Sequence, residues 1–168
     1  MRRLVIVGNG NAARAFLRQI QRHRRDFAIT VFSAGKPPQP VEWYRERGID
    51  MRAGVTITAI DRHARVAKGS DGSRTSYDRL ILAIGRNQLP PAGLAGTSGV
   101  IVNRSLETSD GHIYALGDCV EIGAAGISES LDQLARRLAA RVATDGVSED
   151  SLAAYAADPA GPWRPVTA

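Results

Sequence analysis

The sequence predicts an α/β fold, a parallel sheet with helices on its faces plus a small antiparallel β-meander. Three observations predict it. First, the apolar run Leu4-Val5-Ile6-Val7 enters the turn Gly8-Asn9-Gly10-Asn11-Ala12-Ala13, and a helical pattern follows with Ala13, Phe16, Leu17 and Ile20 at three- and four-residue steps. Second, two later runs, Leu80 to Ile84 and Ile113 to Leu116, are continuously apolar and stop at Gly85 and Gly117. Such runs suit parallel strands covered on both faces. Third, residues 50 to 76 are rich in short β-patterns around the turn dipeptide Asp71-Gly72.

The glycine turn has a physical reading of its own. Strand, glycine turn and helix together form the context in which G-x-G-x-x-G/A has meaning. Gly8 permits the tight turn, Gly10 lets a diphosphate approach the backbone, and Ala13 is small enough for helix and strand to pack. The helix N-terminus offers free N–H groups and partial positive charge to phosphates. Arg22, Arg24 and Arg25 are expected to end this helix, where cations suit the negative pole.

A second strand is expected at Ala28 to Phe32. Dinucleotide-binding folds place Asp or Glu at its end to bind a ribose. Here the chain reads Ser33-Ala34-Gly35-Lys36, without a carboxylate. Ser33 can give a weaker hydrogen bond to a ribose, whereas a small residue followed by the Lys36 cation suits a 2′-phosphate. Pro37, Pro38 and Pro40 break regular structure, and a short helix from Val41 to Arg47 ends at Gly48. Its Trp43 and Tyr44 read as packing anchors. Met51 to Ala53 forms a short strand. Val55 to Ile60 alternates with period two, Arg65 to Lys68 returns antiparallel to it, and Arg74 to Ser76 adds a third strand. Leu80 to Ile84 is the central strand, and Gly99 to Val102 is another candidate. Ile113 to Leu116 delivers Gly117 and Asp118 at a carboxyl end, where open α/β sheets bind ligands. Ser130-Leu131-Asp132-Gln133 is a capping box. Leu131, Leu134, Ala135, Leu138, Ala139 and Val142 form the apolar stripe of a last helix, with Gly146 as its stop. A small helix over 148–157 and an irregular proline-rich end complete the chain. The organisation expected is therefore a domain over 1–147 and a C-terminal helix and tail over 148–168, with no internal repeat.

Composition narrows the function classes. The 168 residues carry a net charge of +5 and a pI near 10. Basic chains can bind nucleic acid, but that requires clustered charge and interleaved aromatics. The arginines outside 22–25 are scattered, so nucleic acid is not expected. A single cysteine, Cys119, excludes an internal disulfide and a paired-cysteine redox centre. His23, His63 and His112 stand apart, so no metal cluster is expected. No stretch has the length of a membrane span, and the apolar run after Arg2-Arg3 is too short for a signal peptide. These features lead to the expectation of a cytoplasmic protein.

Three motifs together resemble the FAD-binding, Rossmann-like domain of the pyridine nucleotide–disulfide oxidoreductase superfamily, nearest to nitrite reductase large subunits and rubredoxin-reductase-like enzymes. They are Gly8 to Ala13; Tyr77-Asp78-Arg79-Leu80-Ile81-Leu82-Ala83-Ile84-Gly85, similar to Y-D-x-L-x-x-A-T-G with Ile84 in place of Thr; and Leu106 to Asp118, similar from Thr108 on to T-x-x-x-x-I-Y-A-x-G-D. The last is the most specific. The resemblance covers about residues 3 to 145. It implies that Gly8, Gly10, Asn11, Ala12 and Ala13 bind the FAD pyrophosphate. It implies that Ile57 meets the adenine through its backbone. It further implies that Ala83, Ile84 and Gly85 line the dinucleotide, and that Asp118, preceded by Gly117, holds its ribityl or phosphate end. The last helix would point its positive pole at the flavin.

Departures from the family shape the functional expectation. The family inserts an NAD(P)H domain with a second glycine fingerprint between the second and third motifs, and this chain has only a linker over 86–98 there. The family's C-terminal interface domain is expected to be missing, and the loop after the second strand is shortened to Gly35 to Pro40. The expected function is a minimal FAD-binding flavoprotein, a redox component receiving electrons from a partner or substrate. Two alternatives stand beside it: a non-catalytic FAD-binding or structural subunit, and a degenerate fold binding NADP(H) or an adenine nucleotide, suggested by Ser33 and Lys36. A homodimer or a second protein subunit is the expected partner, with Trp163 in the tail as a candidate anchor. No general base or nucleophile is evident, and Cys119 reads as buried rather than reactive.

Overall fold

The computed structural model describes residues 1–85, 88–94, 96, 98–121 and 129–144. Five parallel strands form the main sheet, in the order β3-β2-β1-β7-β9. They are β1 (Arg2–Val7), β2 (Phe27–Ser33), β3 (Ile49–Ala53), β7 (Arg79–Leu82) and β9 (Ile113–Ala115). β1 lies in the middle because its neighbours cover both of its edges, in register from Arg2↔Phe27 to Val7↔Phe32 on one side and Leu4↔Arg79 to Val7↔Leu82 on the other. Leu4 to Val7 are all buried, as are all four residues of β7. The continuous apolar runs are thus the strands with no solvent face.

Helices α1 (Asn11–Ile20), α2 (Val41–Arg45) and α3 (Leu131–Ala143) return the chain between or after strands. α1 packs on α3. The apolar stripe Ala13, Phe16, Leu17, Ile20 is buried as its spacing predicts. Burying each large member of that stripe contributes roughly 1.5–3 kcal/mol. α1 stops at Ile20, before the expected arginines. Arg22, Arg24 and Arg25 lie in a tighter 3-10 segment, Gln21–Asp26, in which His23 leaves helical geometry. That leaves Arg18 as the basic residue in the last turn of α1.

The meander is β4 (Ile57–Asp61), β5 (Val66–Gly69) and β6 (Arg74–Ser76), antiparallel in that order. Each strand lies within a residue or two of its expected place. Val55 and Thr56 fall outside β4: the Val55 N–H donates to the Ser33 carbonyl at 3.2 Å, tying the entry of the meander to the end of β2. Two very short strands, β8 (Val100–Ile101) and β10 (Val120–Glu121), pair in parallel as a separate ribbon. β8 falls within the expected Gly99 to Val102. β10 carries no periodic signal, and only its pairing across twenty residues defines it.

α3 begins at the expected capping box. The Ser130 Oγ accepts from the Gln133 N–H at 3.3 Å, and the Gln133 side chain accepts from the Ser130 N–H at 2.9 Å. A buried ion pair then ties α3 to the core: Arg141 Nε and Nη2 lie 2.8 and 2.6 Å from the fully buried Glu107 carboxylate. Asn103 Nδ2 also donates to that carboxylate at 3.1 Å. The expected Gly146 stop, the helix over 148–157 and the tail with Trp163 lie outside the described residues, as does part of the 86–98 linker.

Candidate nucleotide-binding cleft

The connection out of β1 goes to β2 on one side, whereas β7 pairs on the other side of β1. Strand order therefore reverses at β1, and open α/β sheets bind ligands at such a point, outside the carboxyl ends of the strands. A cleft of about 580 Å³ opens there, within the usual range for small-molecule sites. Its lining brings together Gly8, Gly10, Asn11 and Ala12 after β1, Ser33 and Lys36 after β2, Ile57 of the meander, Ala83, Ile84 and Gly85 after β7, and Gly117 and Asp118 after β9. One sequence candidate lies elsewhere. Ala13 has no exposed surface and packs in the core, so its small size serves the helix–strand contact rather than the cleft.

The glycines divide by what constrains them. Gly8 has φ +115°, and a Cβ there would sit 2.2 Å from the Ala83 carbonyl oxygen. It is glycine because the β1 and β7 loops meet at that point. Gly117, with φ +87°, would place a Cβ 2.7 Å from that of Ala12, so the loop after β9 touches the start of α1. Gly10 differs: its φ is ordinary at −80°, and a Cβ there would meet nothing within 4 Å. The protein does not occupy the space in front of Gly10, and that space faces the cleft.

The N-terminus of α1 stays open for the same reason. Gly10 is its N-cap and supplies no side-chain acceptor, and no acidic residue lies in the first turn. The first intrahelical bond runs from the Arg14 N–H to the Gly10 carbonyl at 3.0 Å, which leaves the preceding N–H donors without helical partners. α3, by contrast, carries a capping box that satisfies its Gln133 N–H and has Asp132 in its first turn, whereas α1 has neither. Asn9 Oδ1 is buried beside this turn and makes no hydrogen bond. Asn9, Thr56, Gln88 and Leu131 also line the cleft. Sequence reasoning passed over them: the middle residue of G-x-G carries no type signal, and the others reach the cleft only through tertiary packing.

The chemistry of the two ends differs. Beyond β2, Ser33 is 5% exposed and its hydroxyl donates to the Gly35 carbonyl at 2.9 Å, while Lys36 is exposed and makes no ion pair among the described residues. This end thus lacks a carboxylate acceptor and carries a cation. At the other end Asp118 is exposed on the wall of the cleft. Cys119, next in the chain, is fully buried, and its thiol donates to the Leu82 carbonyl at 3.3 Å. Burial pushes this thiol above its ordinary pKa, which suppresses the thiolate that reactivity needs. His23, His63 and His112 do not line the cleft, and no group of His, Cys, Asp and Glu among the described residues could hold a metal ion. No described helix is long and apolar enough to cross a membrane.

Sheet order, glycine turn and helices define a Rossmann-type α/β domain. The chain belongs to the pyridine nucleotide-disulphide oxidoreductase family, whose sequence pattern matches residues 41–143. It is 38% identical over 108 residues to the nitric oxide reductase FlRd-NAD(+) reductase of Aeromonas hydrophila, a match covering 57% of this chain and 28% of that protein. It is 30% identical over 135 residues to putidaredoxin reductase CamA of Pseudomonas putida, covering 70% of this chain and 32% of that one. The chain thus spans about a third or less of the length of these relatives. Among solved structures, the ferredoxin reductase for the CYP199A2 system from Rhodopseudomonas palustris superposes with a TM-score of 0.72 at 14% identity, over 98% of this chain and 78% of that one, a likeness of fold.

Proposed function

We propose that the cleft holds FAD and that the chain serves as a redox component receiving electrons from a partner or substrate. The observation that carries this reading is the unfilled space at Gly10 in front of an uncapped helix N-terminus. A diphosphate supplies the acceptors that this terminus lacks. Gly8 and Gly117 hold the surrounding loops in contact, Ala83 to Gly85 and Ile57 form the walls, and Asp118 offers an acceptor for hydroxyls. When bound, the flavin supplies hydride or single-electron chemistry, and the protein supplies orientation and electrostatics. The absence of a second glycine fingerprint supports an external electron source, and a homodimer or a second subunit would complete the site.

The test is direct. The purified full chain should bind one FAD, released on denaturation, and Gly10→Val should lose that binding without loss of fold. A chain with no affinity for FAD, or a Gly10→Val variant that binds it as the parent does, would overturn the proposal. A second reading rests on Ser33 and Lys36: a 2′-phosphorylated ligand such as NADP(H) suits an end with a cation and no carboxylate. Lys36→Glu separates the two, because it should weaken NADPH binding strongly and FAD binding little.

A further inference from the structure

A second cavity, of about 650 Å³, lies between α1, the 3-10 segment and α2, and it shares no lining residue with the nucleotide cleft. Leu17, Trp43, Tyr44 and Ile49 contribute its apolar surface, and Arg14, Arg18, Arg24 and Arg47 also line it. The cavity lining contains no carboxylate.

The partners of these arginines leave a surplus of donors. Arg14 donates to the neutral Asn11 Oδ1 at 2.5 Å. Arg18 reaches the exposed Asp132 at 3.1 Å, an exposed pair of the kind worth little in water. Arg47 stacks 3.9 Å over the Trp43 ring and donates one N–H to the Trp43 carbonyl at 3.0 Å; its nearest carboxylate, Glu46, is 3.9 Å away. The exposed Arg24 guanidinium has no hydrogen-bond or ion-pair partner among the described residues. A guanidinium carries five donors in a fixed fork. Stacking orders Arg47 in advance, so an anion meeting it loses less entropy than it would with a free side chain. Trp43 is itself held edge-on to the buried Tyr44, with ring centroids 4.9 Å apart.

We propose that this cavity binds an amphipathic anion: an apolar body against Leu17, Trp43 and Ile49, with a carboxylate or phosphate head among the arginines. Charge complementarity and the concave apolar surface are the grounds. The proposal is independent of what fills the nucleotide cleft.

Octanoate and octyl phosphate, below their micellar concentrations, are the probes. The full chain carrying Trp163→Phe leaves Trp43 as the single tryptophan. Each probe should shift its emission saturably, and calorimetry should give one site. Arg24→Glu together with Arg47→Glu should weaken binding at least tenfold, while the far-UV spectrum and unfolding midpoint stay those of the parent. Octanol and octyltrimethylammonium should not bind comparably. The proposal is overturned if neither anion saturates, if the neutral or cationic probe binds equally well, or if binding survives the folded double charge reversal. Comparison of the two anionic probes identifies whether the head group preferred is carboxylate or phosphate.

Discussion

Two glycines two positions apart do unrelated jobs, and single substitutions separate them. Gly8 answers to the protein: its backbone is left-handed, and a side chain would strike the Ala83 carbonyl. Gly8→Ala should cost ~2 kcal/mol or more of stability, with ligand or without, as urea unfolding would measure. Gly10 has no such constraint from the protein, and under the proposed function it answers to the ligand. Gly10→Val should change stability by no more than ~1 kcal/mol, the scale of an altered N-cap, while FAD titration shows affinity lost. If Gly8→Ala unfolds like the parent, the close approach of the two loops does not constrain that position. The pattern of glycines was legible in the sequence, but this division of labour was not, because both residues match one motif and only neighbouring atoms tell them apart. Ala13 shows the same limit: it fits the motif, yet it is buried and meets no ligand space.

At the level of elements, two ion pairs hold the sheet to its surroundings in different ways. The Glu107 carboxylate is sealed from solvent, and Arg141 is its charged partner in α3. Arg141→Ala would strand a buried charge and should cost about 3–5 kcal/mol; Glu107→Gln, which leaves a neutral amide beside Asn103, should cost less. Chemical denaturation that ranks them the other way would show that the Glu107 carboxylate is held chiefly by partners other than Arg141. The second pair joins the starts of β1 and β7. Asp78 accepts from the Arg3 backbone N–H at 2.7 Å and from its guanidinium at 2.9 and 3.1 Å. The side-chain hydrogen bond from Arg3 is the chief reason that the Asp78 carboxyl is held down to about 2. A folded-state pKa below the unfolded value of ~3.9 stabilises the fold above that pH, and the contribution fades as pH falls from there through about 2. Parent and Asp78→Asn should therefore differ by a constant amount between pH 5 and 7 and converge towards pH 2. A gap that persists there would assign the effect to shape rather than charge. The strands and helices themselves were readable, since continuous apolar runs and a capping box carry their own signals. β10 and the link from Val55 to Ser33 were not, because two-residue pairings between distant segments leave no periodicity.

For the molecule as a whole, the parallel sheet expected from apolar runs and the meander expected from alternating patterns and the Asp71-Gly72 turn are present, and the cleft gathers every proposed ligand residue except Ala13. What sequence could not supply is the arginine-lined cavity: its residues come from α1, the 3-10 segment and α2, and none belongs to a motif. With no second glycine fingerprint in the chain, NADH or NADPH alone should not reduce flavin bound in the cleft at ~1–10³ s⁻¹, the range of enzyme turnover. Stopped-flow mixing of the loaded chain with either nucleotide would settle it, and reduction at such rates would locate a donor site within these 168 residues. A last consequence follows from the contrast between the helix ends. α3 carries a capping box, but α1 has no side-chain cap, so under the proposed function its first donors are met by the bound ligand. A ligand that supplies them favours the native state over the unfolded one, by about 2.7 kcal/mol at a hundred times its dissociation constant. For a chain of modest stability, that margin governs how often a protease meets an unfolded copy. Cellular lifetime, and with it steady-state abundance, should then track the supply of the small molecule that completes the turn.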